Sequence, residues 1–286
     1  MPSSVPLNDI VTYLDQYLRV RDVPDEENAI NGLQVESVSG RVTRIVAAVD
    51  ASLATIMSAG AAEEPGRPAG ATAEAGSPGT AEPSGHQLSV SEPTLLLVHH
   101  GLFWDGNIPL TGRRYRRAKA LLDRDLALYA AHIPLDVHPE VGNNAVLARQ
   151  LGVTGLAPFD TYRGISIGVQ GTLEPAVPRE EFASRIGKLL DCAVKLIPGG
   201  PALSRRVGVI TGGAGNRIGA AREAGLDTYL TGEGAHHTYF DAMELGVNAI
   251  FAGHYATETV GVKALAAHLS QEFGIPWEFH DHPTGL

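Results

Sequence analysis

Short apolar runs that end in histidine or glycine, each followed by a helical pattern, constrain this chain more than any other feature. Thr94-Leu95-Leu96-Leu97-Val98 is five residues long, the length of a buried strand, and His99-His100-Gly101 follows it directly. Residues 44–49, 126–131, 165–171, 207–211, 228–230, 249–251 and 277–279 read as further strands. Between them the apolar spacing turns helical, as in residues 7–20, where Ile10, Leu14, Tyr17 and Leu18 share a face. Helices are expected over residues 52–59, 114–122, 143–151, 179–190, 217–224, 236–244 and 258–273 as well. Strands alternating with helices predict an α/β fold with largely parallel pairing. Two layered α/β domains account for the length of 286 residues. The expected division is an N-terminal part, 1–155, and a C-terminal part, 156–286, meeting somewhere between Val153 and Arg163.

Composition narrows the class. Hydrophobic residues make up 44% and charged residues 19%, so a sizeable core is available and global disorder is excluded. Residues 60–87 are the exception. They hold 7 Ala, 6 Gly and 4 Pro and no Val, Ile, Leu, Met, Phe, Trp or Tyr. Such a stretch cannot offset its ordering entropy by burial, and a disordered surface insertion at about 60–92 is expected. No apolar run nears the roughly 18 residues that cross a bilayer, so no membrane association is expected. The opening Met1-Pro2-Ser3-Ser4-Val5-Pro6 lacks a basic region followed by an apolar stretch, and the chain reads as cytoplasmic. Cys192 is the single cysteine, which excludes a disulfide scaffold and a cysteine zinc site. The net charge of −10 argues against a nucleic-acid partner. Arg113, Arg114, Arg116, Arg117 and Lys119 form a local basic cluster, read as a solvated helix face. A groove for an anionic substrate or a subunit contact is the alternative.

With His138 counted beside the second, seven of the eleven histidines fall in or next to four clusters, each where a strand ends. Strand C-terminal ends are where α/β proteins place ligand sites. His99 and His100 face one site only if the strand stops and the backbone turns at Gly101; otherwise one packs and one meets solvent. His132-Ile133-Pro134-Leu135-Asp136 follows the next strand, and Pro134 suggests an extended turn rather than a helix. Asp136 is a candidate metal ligand or histidine anchor, or simply a turn residue. His138 is read as surface loop. Gly232-Glu233-Gly234-Ala235-His236-His237 is a third cluster. Glu233, His236 and His237 are candidate ligands, acid–base groups or partners of ligands. Glu233 also suits a helix N-terminus. His254 and Glu258 converge if their helix starts early, whereas a helix capped by Thr257 would make Glu258 an ordinary first-turn acid. Imidazole and carboxylate donors suit zinc, iron, manganese or nickel. The number of candidates is too large for one four-coordinate ion and about right for two ions sharing a carboxylate.

These segments resemble the Nif-three-like dinuclear metal centre family, also called GTP cyclohydrolase 1 type 2. The similarity runs through Asn31-Gly32-Leu33-Gln34-Val35, Ala48-Val49-Asp50, Val98-His99-His100-Gly101, His132 to Asp136 with Gly142-Asn143-Asn144, Gly232-Glu233 with His236-His237, and Gly253-His254-Tyr255 with Thr257-Glu258. The resemblance implies that His99, His100, Asp136, His254 and Glu258 bind two divalent transition-metal ions, with a carboxylate bridging them. It implies two α/β domains with the metals between them, assembled as a homohexamer. His132, Glu233, His236 and His237 would line the cavity. Many members carry Pro after the paired histidines, where this chain has Gly101-Leu102-Phe103-Trp104. Phe103 and Trp104 are read as buried aromatics, or as a stack for a substrate ring. The large extra domain that some members carry between halves is missing.

Gly212-Gly213-Ala214-Gly215-Asn216 does not match Gly-x-Gly-x-x-Gly and is read as a close-packing turn, with a phosphate on the following helix as the alternative. Cys192 sits in apolar surroundings and no Gly-x-Ser-x-Gly occurs, so no serine or cysteine nucleophile is expected. The expectation is a metal-dependent hydrolase acting on a nucleotide or phosphate ester, with Glu233, His236 or His237 moving protons. The alternatives are a metal-binding regulatory or interaction module without turnover, and a metal-free nucleotide-binding module.

Overall fold

The structure is a computed structural model, and it describes residues 4–61 and 92–286. The expected insertion at 60–92 lies almost wholly outside the described residues. The chain divides into two compact units, Met1–His132 with Leu265–His282, and Ile133–Ala264 with Pro283–Leu286. The division falls at residue 132 rather than near 155, because Leu147, Ala148 and Leu151 pack into the second unit's core beside Leu173, Phe182 and Val207.

The first unit is built on a five-stranded sheet in the order Trp277–Phe279, Arg44–Asp50, Thr94–His100, Ala127–Ala130, Gly32–Val35. The first three pairings are parallel and the last is antiparallel. Thr94–His100 is the central strand, which explains its unbroken apolar run. Val46, Ala48, Leu96, Val98, Leu128 and Ala130 form one face, packed on Ile56 and Ala59 of helix Leu53–Ala59 and on Leu121 of helix Gly112–Asp123. The alternate residues Ile45, Ala47, Leu95, Leu97 and Tyr129 are equally buried. Tyr129 donates to Asp15 of helix Leu7–Tyr17 at 2.8 Å. Ser52 caps its helix by accepting from the Thr55 N–H at 3.1 Å.

The basic cluster lies on helix Gly112–Asp123. Arg113 pairs with Asp105, and Lys119 with Asp123 at 2.6 Å, on exposed turns as expected. Arg114 departs from that pattern. It is buried, donates to the Ile108 carbonyl at 2.8 Å, and lies 5.2 Å from the centre of the Phe103 ring.

The second unit carries a six-stranded sheet in the order Thr154–Tyr162, Ile165–Pro178, Leu203–Val209, Thr228–Thr231, Asn248–Phe251, Lys195–Pro198. Only the pairings of Thr228–Thr231 with Leu203–Val209 and with Asn248–Phe251 are parallel, so this sheet is mixed rather than largely parallel. Thr154–Tyr162 folds back on Ile165–Pro178 as a hairpin. Its mostly exposed residues give no apolar run by which the sequence could announce a strand. Leu173, Val207, Val209, Leu230 and Ile250 pack on Leu147, Leu151, Phe182 and Ile186. On the other face Phe159, Tyr229 and Ala249 meet Ile218, Ala221 and Ala242. The parallel strands finish next to Thr211-Gly212, Gly232-Glu233 and Gly253-His254, which brings the motif residues to one edge of the sheet. Among the described residues, no helix is long and apolar enough to cross a membrane.

Leu96 sits fully buried in the central strand of the first unit. Leu96→Ala is expected to lower the unfolding free energy by about 2–5 kcal/mol. The check is a fall in the urea midpoint at unchanged slope.

Candidate metal centre

Three imidazoles of the first unit converge. His99 is wholly buried, and its Nδ1 lies 2.8 Å from the Ala131 carbonyl. A carbonyl can only accept, so Nδ1 carries the proton in this contact, and Nε2 is the ring atom that a metal would take. His100 donates from Nδ1 to Asp50 Oδ1 at 2.9 Å. The parallel ladder sets that contact, because Asp50 is directly opposite His100. His132 donates from Nδ1 to Asp25 Oδ1 at 2.7 Å. Asn31 holds both partners, donating to Asp25 Oδ2 at 2.8 Å and accepting from the His132 N–H at 2.7 Å. Burial pushes the Asp25 carboxyl up, but the hydrogen bonds from His132 and Asn31 and the electrostatic attraction of the His132 ring prevail and hold it below the usual carboxylate value. One ligand atom from each of His99, His100 and His132 lies within 4.8 Å of the other two. Imidazoles whose Nδ1 protons are committed to oxygen acceptors are oriented as metal ligands are. The donor set fits a transition metal.

The loop after the pair departs from expectation in one respect. The strand runs through His100, and Gly101 is not in a left-handed conformation. A side chain there would meet Gln34 instead: a Cβ would fall 2.3 Å from Gln34 Nε2. Gln34 accepts from the Leu102 N–H at 2.7 Å and donates to the Ile30 carbonyl at 2.7 Å, which fixes the start of the loop. Phe103 packs on the core. Trp104 stands perpendicular to His132 and His100, at 4.8 and 5.5 Å between ring centres.

In the second unit, helix His254–Phe273 starts early enough to place His254 and Glu258 one turn apart. His254 Nε2 lies 3.2 Å from Glu258 Oε1, and its Nδ1 lies 2.9 Å from Glu233 Oε1. Burial opposes charge on the ring, but the two carboxylates outweigh it and raise its pKa from 6.5 to about 9. Thr257 does not cap the helix. It lies inside it and accepts from the Gly212 N–H at 3.1 Å. Gly212 has φ +69°, and a Cβ there would fall 2.2 Å from Glu258 Oε1. The glycine loop is therefore a close-packing turn that makes room for Glu258. It leads into a 3-10 turn, Gly215–Arg217, and a helix of 6 residues, Ile218–Glu223, too short for a phosphate site.

Asp136 closes a single helical turn, Ile133–Asp136, where an extended turn is expected from Pro134. Proline is tolerated there because the first turn of a helix needs no N–H from it. Asp136 Oδ1 accepts from Asn143 Nδ2 at 2.9 Å and from the Thr211 hydroxyl at 3.3 Å. Asn143 accepts in turn from the Gly261 N–H at 2.7 Å, so the carboxylate is tied to the helix that carries Glu258. His138 is buried rather than a surface residue, accepting from the Glu140 and Val141 N–H groups. His236 and His237 are exposed. His236 meets the Phe240 ring at 5.8 Å, and His237 immediately precedes helix Thr238–Leu245, so neither joins the Glu233–His254–Glu258 group.

Asp25, Asn31, Gln34, Asp50 and Thr211 do the positioning together with Gly212; the sequence reads Gly212 as part of a close-packing turn and assigns the other five no role. Asn31, Gln34 and Asp50 do lie in segments that carry the family resemblance. Asp25, in an acidic loop far from His132 in sequence, gives no signal at all.

The Duf34/NIF3 (NGG1p interacting factor 3) family model matches residues 89–284. The chain belongs to the Duf34/NIF3 family. A GTP cyclohydrolase 1 type 2 homolog of Deinococcus radiodurans is 44% identical over 279 residues, 98% of this chain and 94% of that protein. A protein of the same name from Pyrococcus abyssi is 40% identical, over 97% of this chain and 98% of its own. The crystal structure of TTHA1606 from Thermus thermophilus is 38% identical and superposes with a TM-score of 0.79, covering 99% of this chain and 100% of that one.

Two measurements probe this arrangement. Gly212→Ala forces a side chain onto Glu258 and into a left-handed backbone, and should destabilise the fold by about 1–3 kcal/mol, read from the urea midpoint. In metal-free protein the stabilisation from His254 is fully present below its unperturbed pKa of 6.5 and lost as pH rises through about 9. Histidine NMR titration should place His254 near 9, and Glu233→Gln should lower it.

Proposed function

We propose that this chain holds two divalent transition-metal ions on His99, His100, Asp136, His254 and Glu258, and that it hydrolyses a nucleotide or phosphate ester. The observation that supports the metal reading most is the histidine cluster, in which three imidazoles with Nδ1 committed to Ala131, Asp50 and Asp25 bring ligand atoms within 4.8 Å of one another. Two ions bound there would supply Lewis-acid polarisation of the substrate and an acidified water nucleophile.

The chain's own residues do the rest of the work in this reading. The Ala131 carbonyl and the carboxylates of Asp50 and Asp25 hold the imidazoles in one tautomer and one orientation. Asn143 and Thr211 hold the Asp136 carboxylate, and Gly212 leaves the space that Glu258 needs. Glu233 is half-exposed and hydrogen-bonded to His254 Nδ1, which suits it to orient that ring or to pass a proton to solvent. The names of the relatives, GTP cyclohydrolase 1 type 2 homologs, make guanine nucleotides the first substrates to try.

The test is metal content by inductively coupled plasma mass spectrometry on protein purified without a metal-affinity column. About two transition-metal equivalents per chain are expected, falling in His99→Ala and Glu258→Ala with far-ultraviolet circular dichroism unchanged. No metal after incubation with zinc, manganese or iron would overturn the reading. Metal without turnover on any nucleotide or phosphate ester would leave a metal-binding regulatory module.

A further inference from the structure

We infer that Trp104 is a substrate-binding residue, its indole N–H donating to an anionic oxygen of the ligand, a phosphoryl oxygen under the function proposed above. The inference rests on that reading for the class of ligand and on the geometry for the donor.

Indole Nε1–H can donate and cannot accept. In Trp104 this atom is buried, and among the described residues no acceptor lies within hydrogen-bond distance of it. A buried donor without an acceptor has lost its water and gained nothing in return. Packing alone does not call for that. Phe103, the preceding residue, fills the adjoining core under the Arg114 guanidinium and carries no polar atom. A second phenylalanine at 104 would bury as well without the unserved N–H.

The position matters as much as the atom. Trp104 packs against His132 and His100, two of the three clustered imidazoles. The two carboxylates bonded to those rings are already committed: Asp50 accepts from His100, and Asp25 from His132 and Asn31. The loop that carries Trp104 is pinned on both sides. Gln34 holds the Leu102 N–H, the Gly106 N–H donates to the Phe103 carbonyl at 2.8 Å, and Asp105 pairs with Arg113. The indole is thus held in place beside the cluster with its donor unserved. An oxygen with spare lone pairs and negative charge is the acceptor that suits it best, because charge-assisted hydrogen bonds are the strong ones.

The chain has two tryptophans, Trp104 and Trp277, so nitrogen-15 labelling gives two indole signals, assigned with Trp277→Phe. Inorganic phosphate, added to the metal-loaded full chain, should move the Trp104 indole proton downfield and slow its exchange with water. In calorimetry, Trp104→Phe should weaken phosphate binding about tenfold or more, with metal content and circular dichroism unchanged. An unmoved indole proton while phosphate binds would overturn the inference. So would a chain that binds no phosphate, or loss of metal in Trp104→Phe, which would make the ring a support for the histidines. Absence of metal is read separately on the same sample: an indole that still answers phosphate there keeps the donor role and removes the metal reading.

Discussion

The hydrogen bond from Nδ1 to an oxygen acceptor governs the first unit's cluster. Three imidazoles crowded together would turn, titrate or pair with one another if nothing fixed their protons. Here each Nδ1 proton is held by a different part of the fold: Ala131 beyond the neighbouring strand, Asp50 on the strand to the other side, and Asp25 in a loop. The strand pairings come first in this logic. Parallel register between Arg44–Asp50 and Thr94–His100 places Asp50 opposite His100, and the apolar cores on either face hold that register against slippage.

Much of this was legible in the sequence. The Leu95–Val98 run reads as a buried strand, which the structure places at the centre of its sheet, and the histidines at its end fall where α/β proteins put ligand sites. His254 and Glu258, four residues apart, needed only an early helix start, which the structure provides. The Thr154–Tyr162 strand was invisible because it is half of an exposed hairpin and carries no apolar period. The helical turn at Ile133–Asp136 was hidden by Pro134, since the rule against proline applies to helix interiors and not to first turns.

Positioning residues were harder to see than candidate ligands, and for a physical reason. A ligand advertises itself by residue type, whereas an anchor such as Asp25 is defined by a partner 107 positions away. Glycines hide which side chain they make room for. Gly101 looks like a turn residue and Gly212 reads as part of a close-packing turn, but only the structure shows that Gln34 and Glu258 fill the volume they leave. Only Gly212 also needs its left-handed backbone.

The division of the chain has a consequence for how it is made. The second unit is nearly continuous, from Ile133 to Ala264, and its sheet is complete when that segment is complete. The first unit begins at the N-terminus but takes Trp277–Phe279 as the outer strand beside Arg44–Asp50. During synthesis on the ribosome that flank of the older sheet stays open until Trp277–Phe279 has been made. A bare strand flank is a template for pairing with another chain. The half translated first is therefore the half finished last, and its strand flank is the one left bare longest.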